Sequence, residues 1–155
     1  MGPLINQHQL LRVQSYIDGA HEAGHSIMSG QSVEGVKGFF VSPTIIAGAG
    51  GNDPITQEEI FGPVLSIYRF FGIEDLLVAA NGTEYGLAAT IWSRNTERVF
   101  RVAEALHCGK VSVNNAGFPY PGLPEGGYKA SGFGRDLGKE AVEQHLQTKS
   151  ILLSI

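Results

Sequence analysis

Between Val64 and Val113 short apolar runs alternate with amphipathic stretches, and that alternation narrows the folds open to this chain. Val64 to Phe70 is predicted as a strand, and Ile73 to Ala80 as a helix stopped by Asn81-Gly82. Leu87 to Ser93 reads as the next strand. Asn95 can cap a helix that runs to about His107 and buries Val99, Ala103 and Leu106. Gly109 ends it, and Val111 to Val113 makes a further strand. Strand, helix, strand, helix, strand with short connections implies right-handed crossovers and a largely parallel sheet. The expectation is an α/β fold.

The flanking segments are less regular. A long amphipathic helix is predicted from about Gln7 to Ala23, with Leu10, Leu11, Val13, Ile17, Ala20 and Ala23 in helical rhythm. Gly24 is placed to end it as a left-handed cap. A short strand near His25 to Met28 follows, then a Gly/Ser-rich loop, a strand around Phe39 to Ile46, and a glycine-rich loop from Ala47 to Asp53. Phe118 to Gly134 sets prolines and glycines among aromatic residues, too irregular for an element and too rich in anchors for a linker. A helix from roughly Gly138 to Leu146 leads to Thr148 to Ile155, an apolar run read as a strand. No local partner for that strand is evident. It either joins another subunit or adds an edge to the chain's own sheet.

Bulk properties exclude some functions. The net charge of -4 and the lack of a Lys/Arg cluster argue against a phosphate-backbone binder. No apolar run is as long as a membrane span, and no basic-then-apolar signal pattern opens the chain. The single cysteine, Cys108, rules out an internal disulfide framework and suits a reducing compartment, so a cytoplasmic location is expected. Asn81-Gly82-Thr83 fits the glycosylation pattern but reads as a turn without a secretory signal.

Three motifs bear on chemistry. His21-Glu22-Ala23-Gly24-His25 matches the H-E-x-x-H pattern of zinc hydrolases. That chemistry needs both histidines on one uninterrupted helix, one turn apart. Gly24 lies inside the motif and His25 opens a strand, so a helix end with two surface histidines is the expectation and no metal site is assigned. Cys108 falls at a helix C-terminus, where the macrodipole disfavours a thiolate, and reads as a small buried apolar residue rather than a nucleophile. Glu58-Glu59-Ile60-Phe61-Gly62-Pro63-Val64 places two acids and an aromatic just before a strand. At the edge of a parallel sheet such a segment can accept hydrogen bonds from ribose hydroxyls and pack a ring on a sugar or base. Alone, it reads better as a charged loop with a core-anchoring Phe.

It is not alone. Glu58 to Val64 resembles the E-E-x-F-G-P-V signature of the aldehyde dehydrogenase superfamily, and other segments follow in that superfamily's order. Gly2-Pro3-Leu4-Ile5, Tyr16-Ile17 and Glu22-Ala23-Gly24 look like the helix after the catalytic-cysteine region. Phe40-Val41-Ser42-Pro43-Thr44 resembles the F-x-x-P-T strand, and Ala80 to Ala89 the A-N-x-x-x-Y-G-L-A-A segment. Gly109 to Asn114 is similar to G-x-V-x-V-N, and Pro124 to Gly138 to the C-terminal fingerprint.

The resemblance implies a parallel-sheet catalytic domain of that type, truncated on its N-terminal side. Residues 1–147 would be the C-terminal portion of the catalytic domain and 148–155 an oligomerisation strand. The parent activity would be NAD(P)-dependent oxidation of an aldehyde to a carboxylic acid, with NAD or NADP as cofactor. By the same resemblance Glu59 would contact the nicotinamide-side ribose, and Phe61 would pack near that ribose and the nicotinamide. Phe118, Tyr120 and Glu125 would face the aldehyde tunnel, and Ser150 to Ile155 would pair with another subunit of a homo-oligomer. The family's cysteine nucleophile, its water-activating glutamate and its cofactor domain precede the matched region, so no catalytic residue is assigned and the isolated chain is expected to be inactive. The alternatives are a non-catalytic subunit that assembles with a separate N-terminal chain, and a zinc hydrolase through His21 to His25.

Overall fold

Asn6 starts the first helix: its side chain accepts a 2.9 Å hydrogen bond from the Gln9 amide, satisfying one of the unpaired donors of the first turn. The computed structural model describes residues 1–31, 35 and 37–155, so part of the expected Gly/Ser-rich loop lies outside the described residues. Helix α1 spans Gln7–Glu22. It stops where Gly24 takes φ +79, and the chain turns directly into strand β1, Ser26–Ser29.

Strand β2, Thr44–Ala47, pairs antiparallel with β1 and parallel with β3, Val64–Ile67, so it is the middle of a three-stranded sheet. Side chains alternate across it: Thr44 and Ile46 are buried while Ile45 is exposed. The buried side joins Val13 and Ala20 of α1, with Ala49, Ile55 and Ile60, in one apolar cluster. Leu11, off that stripe, stays exposed. A short helix that the sequence reading lacked, α2 at Pro54–Gln57, starts on a proline whose missing N–H costs nothing there. Helix α3, Ile73–Asn81, closes this part of the chain.

The chain divides into two compact units, Met1–Thr83 and Glu84–Ile155. In the second, β4 (Tyr85–Gly86) pairs antiparallel with β7 (Tyr128–Lys129). Strand β5, Ala88–Ile91, pairs parallel with β6, Lys110–Val113. Helix α4, Thr96–Ala105, makes the crossover; Asn95 caps it as expected, accepting from the Arg98 amide at 2.9 Å. It buries Val99 and Val102, while Ala103 and Leu106 are half-buried. Helix α5 is Gly138–Glu143.

The α/β expectation therefore holds, with parallel pairing in β2–β3 and β5–β6. Two details differ. The parallel pairing is divided between separate sheets rather than gathered in one: β3 lies beside β2, and β5 beside β6. Residues 148–155 form no strand in the single chain and are exposed throughout, because an extended run has no ladder without a partner. No helix among the described residues is long and apolar enough to cross a membrane.

Candidate functional site

One face of α1 builds the Glu58–Gly62 segment. Gln9, Arg12, Val13 and Tyr16 are spaced three and four apart, so their side chains emerge on the same side. The Gln9 side-chain amide donates to the Ile60 and Phe61 carbonyls, both at 3.0 Å. Arg12 donates to the Glu59 carbonyl at 2.8 Å and to the Tyr16 hydroxyl at 3.0 Å, and its guanidinium lies 5.1 Å from the Tyr16 ring centroid. Tyr16 in turn donates to the Glu58 carboxylate at 2.5 Å. Ile60 is buried in the core, and a Cβ on Gly62 would stand 2.5 Å from Val13 Cγ2. The backbone is thus held by its carbonyls and by close packing.

What that leaves uncommitted is the useful part. No described group hydrogen-bonds the exposed Glu59 carboxylate, and Phe61 is 76% exposed. Both line an open depression of about 290 Å³ with Thr56, Ser66 and Tyr68. Phe61 also sits at φ +56, in the left-handed region where a side chain costs roughly 1–2 kcal/mol. The exposed ring is held at that cost by hydrogen bonds to its own backbone. Phe61→Gly is accordingly expected to be about 1 kcal/mol more stable than Phe61→Ala, which keeps the strain but loses the ring. Urea unfolding of the two variants checks this, and equal midpoints would refute the strained backbone.

The second unit carries the other expected residues. Strand β6 is followed by Asn114, whose side chain accepts from the Ser93 amide and donates to the Ser93 carbonyl, both at 2.9 Å. With φ +50 there, the chain leaves the sheet and enters the 115–125 loop. Phe118, Tyr120 and Glu125 line one cavity of about 420 Å³ with Ser112, Asn115 and Leu123. Phe118 and Tyr120 are 76% and 64% exposed. Glu125 is half-buried and less available: its carboxylate is ion-paired with the Lys110 ammonium, and its backbone exchanges two 2.7 Å hydrogen bonds with Asp136.

Two other motifs resolve plainly. Helix α1 ends at Glu22, Gly24 turns the chain, and His25 stands 3.4 Å from the Asp53 carboxylate, so the two histidines are not one helical turn apart. No group of three or more His, Cys, Asp or Glu among the described residues could hold a metal ion. The Cys108 thiol donates to the Lys110 carbonyl at 3.3 Å, and burial pushes it above the ordinary thiol range. That is the opposite of an activated nucleophile.

The sequence reading missed the residues that brace the site. Gln9 and Arg12 were visible only as the polar flank of an amphipathic helix, and Lys110 as an ordinary strand residue. A polar triplet at helical spacing beside the core stripe, and a lysine in an otherwise apolar strand, are the signals that mark them.

Comparison with known proteins supplies the family. Residues 1–151 match the model of the aldehyde dehydrogenase family. The aldehyde dehydrogenase of Alternaria alternata is 40% identical over 154 residues, which is 99% of this chain and 31% of that protein. Betaine aldehyde dehydrogenase of Bacillus subtilis is 38% identical over 154 residues, again 31% of its length. Among solved structures, a Mycobacterium tuberculosis aldehyde dehydrogenase complexed with NAD+ is similar at TM-score 0.92 and 40% identity, covering 99% of this chain and 32% of that one. The indole-3-acetaldehyde dehydrogenase of P. syringae, in complex with NAD+ and IAA, is similar at TM-score 0.93 and 38% identity, covering 100% and 32%. The chain spans about a third of the length of these relatives. With the match running from before α1 to beyond α5, the chain belongs to the aldehyde dehydrogenase family.

Proposed function

We propose that this chain is the C-terminal part of an NAD(P)-dependent aldehyde dehydrogenase, and that it contributes cofactor and substrate contacts rather than the reacting groups. The observation that carries this is the Glu59–Phe61 segment, whose backbone is fixed by α1 while its carboxylate and ring are left for a ligand. A carboxylate with free acceptors suits ribose hydroxyls, and an exposed ring suits the flat face of a sugar or nicotinamide. The residues present therefore fit the NAD+ that relatives hold in their solved complexes. When bound, that cofactor accepts the hydride that leaves the substrate. Glu59 would orient it, and Phe61 would exclude water from one side.

Phe118 and Tyr120 would form the apolar wall that an aldehyde passes, with Glu125 behind them. The segment Ser150–Ile155 would add a strand to a second subunit. Ile151, Leu152, Leu153 and Ile155 are all exposed in the single chain, and such a run gains a ladder and a dry face only by pairing. A cytoplasmic location is consistent with a lone free cysteine.

The purified 155-residue chain is expected to show no NAD-dependent aldehyde oxidation, because the family's thiolate and water-activating carboxylate lie outside the region matched here. A spectrophotometric assay across short aliphatic and aromatic aldehydes tests it; metal-independent turnover by this chain alone would overturn the proposal. A second reading, a subunit completed by a separate chain, is favoured by the exposed sheet face of Met28, Ile45, Leu65 and Ile67. Activity gained on mixing with a chain that carries the remaining two thirds of the family's length would select it.

A further inference from the structure

Among the described residues lining the cavity beside β6, Lys110 is the one cation, and its donors are all used within the chain. A lysine ammonium has three protons and no acceptor. Here it meets three acceptors: the Glu125 carboxylate, the Gly117 carbonyl at 3.1 Å and the Phe118 carbonyl at 3.2 Å. The partners enter from both ends of the 115–125 loop, while the lysine itself stands on a strand paired to β5. Exposure of the two charged side chains is 20% and 29%, so water screens them less than it does a surface pair.

We propose that Lys110 is a positioning residue: it ties both ends of the loop to β6 and so sets where Phe118 and Tyr120 stand in the cavity. No other described side chain does this. The Asn115 side chain accepts from the Gly117 amide at 3.2 Å, and the Leu123 amide donates to the Tyr120 carbonyl at 2.9 Å, but both bonds lie inside the loop and attach it to nothing else. Among the described residues, Lys110 makes the strand side of the attachment, while the far side is held by the Glu125–Asp136 bridge and by the Gly138 amide donating to the Pro121 carbonyl at 3.0 Å. Loss of the ammonium would leave two carbonyls and a half-buried carboxylate without their donor, and the loop would loosen from Asn115 to Tyr120, up to the Pro121 carbonyl that Gly138 still holds. The pair also cancels the charge of Glu125, the one acid among the described residues that line the cavity, leaving an uncharged wall in which Phe118, Tyr120 and Leu123 stand beside Ser112 and Asn115.

The proposal rests on reading this cavity as facing the aldehyde, but its test does not. Hydrogen exchange followed by mass spectrometry is measured on the whole chain with Lys110→Met, Lys110→Arg, Glu125→Gln and the Met/Gln double variant. Met keeps the apolar stem and the strand, so β6 amides report whether the unit stays folded. With Lys110→Met, the hydrogen-bonded Gly117 amide is expected to exchange about ten-fold faster, while those of Ser112 and Asn114, which face β5, do not change. Glu125→Gln gives a smaller acceleration, because both carbonyl contacts remain. The double variant exchanges no faster than Lys110→Met, and Lys110→Arg restores most of the protection. Unchanged loop exchange in Lys110→Met, or additive effects in the double variant, would overturn the proposal. If Lys110→Met exposes β6 as well, Glu125→Gln decides: unchanged loop exchange there refutes the tie. Aldehyde turnover by the chain would refute the proposed function and leave this result standing.

Discussion

Gly109→Ala is expected to lower the stability of the chain by about 3 kcal/mol, the upper end of overpacking costs. A Cβ at that position would overlap the Gly126 carbonyl oxygen and stand 2.8 Å from its carbon, and both obstacles are backbone. No rotamer change relieves such a clash. The strand cannot move aside either, since the Gly109 amide is shared between the Gly86 and Leu87 carbonyls, each at 3.2 Å. Gly86 is under the same constraint from the His107 carbonyl, and Gly127 from Ser131. Three stretches of backbone converge at this point, and only glycine permits the approach. Because Gly126 follows Glu125, displacement here also moves the wall of the cavity. Urea unfolding is the measurement. At the usual slope of roughly 1–3 kcal/mol per molar for small proteins, the midpoint should fall by about 1 M or more. An unchanged midpoint would show that the strands are not packed this closely.

Ile46→Ala should cost a comparable amount in the first unit, about 2–5 kcal/mol. Ile46 is fully buried at the centre of the three-stranded sheet, in register with Ile27 on one side and Ser66 on the other. Truncation leaves a cavity among Val13, Ala20 and Ile60, in a small core with little else to draw on. Ile60 belongs to the same core and to the Glu58–Gly62 segment, so the loss should also loosen the bed under Glu59 and Phe61. The control is one residue away. Ile45 points to the opposite face and is 36% exposed, so Ile45→Ala should cost well under half as much. Chemical denaturation of both variants compares them, and equal losses would mean that the faces of β2 are not distinguished as described.

The two variants probe different kinds of constraint. Gly109 shows where backbones crowd, a condition that no propensity scale reports. Ile46 shows where apolar alternation meets a core, which the pattern of the strand does report. Each unit's candidate residues depend on one kind: the Glu59–Phe61 segment lies on the core around Ile46, and the Phe118–Glu125 loop hangs from strands that meet at Gly109.

Short-range signals were legible because their causes are short-range. The N-cap at Asn95, the stop at Gly24 and the stripe of Val13, Ile17 and Ala20 follow from bonds and contacts within one or two helical turns. The alternation of apolar runs with helices likewise disclosed an α/β chain, and the ordered motifs disclosed the family. Strand neighbours were not legible in the same way. Whether β3 lies beside β2 or β5 depends on residues far apart in sequence, and the apolar pattern of Val64 to Ile67 suits either sheet. The same holds for Thr148 to Ile155: the run is suited to a strand, but an extended segment acquires hydrogen bonds only when a second edge is present.

The site divides along the same line. Glu59, Phe61, Phe118 and Tyr120 could be put forward as candidates from the motifs, because the family resemblance attaches expected roles to those residues. That Gln9 and Arg12 hold the carbonyls of residues 59 to 61, or that Lys110 holds Glu125, could not. Those contacts span 51, 52, 47 and 15 residues, and they exist only once α1 lies against the loop and β6 beneath the cavity. Residue identities thus follow from local chemistry, whereas the positions those residues hold follow from packing between distant segments.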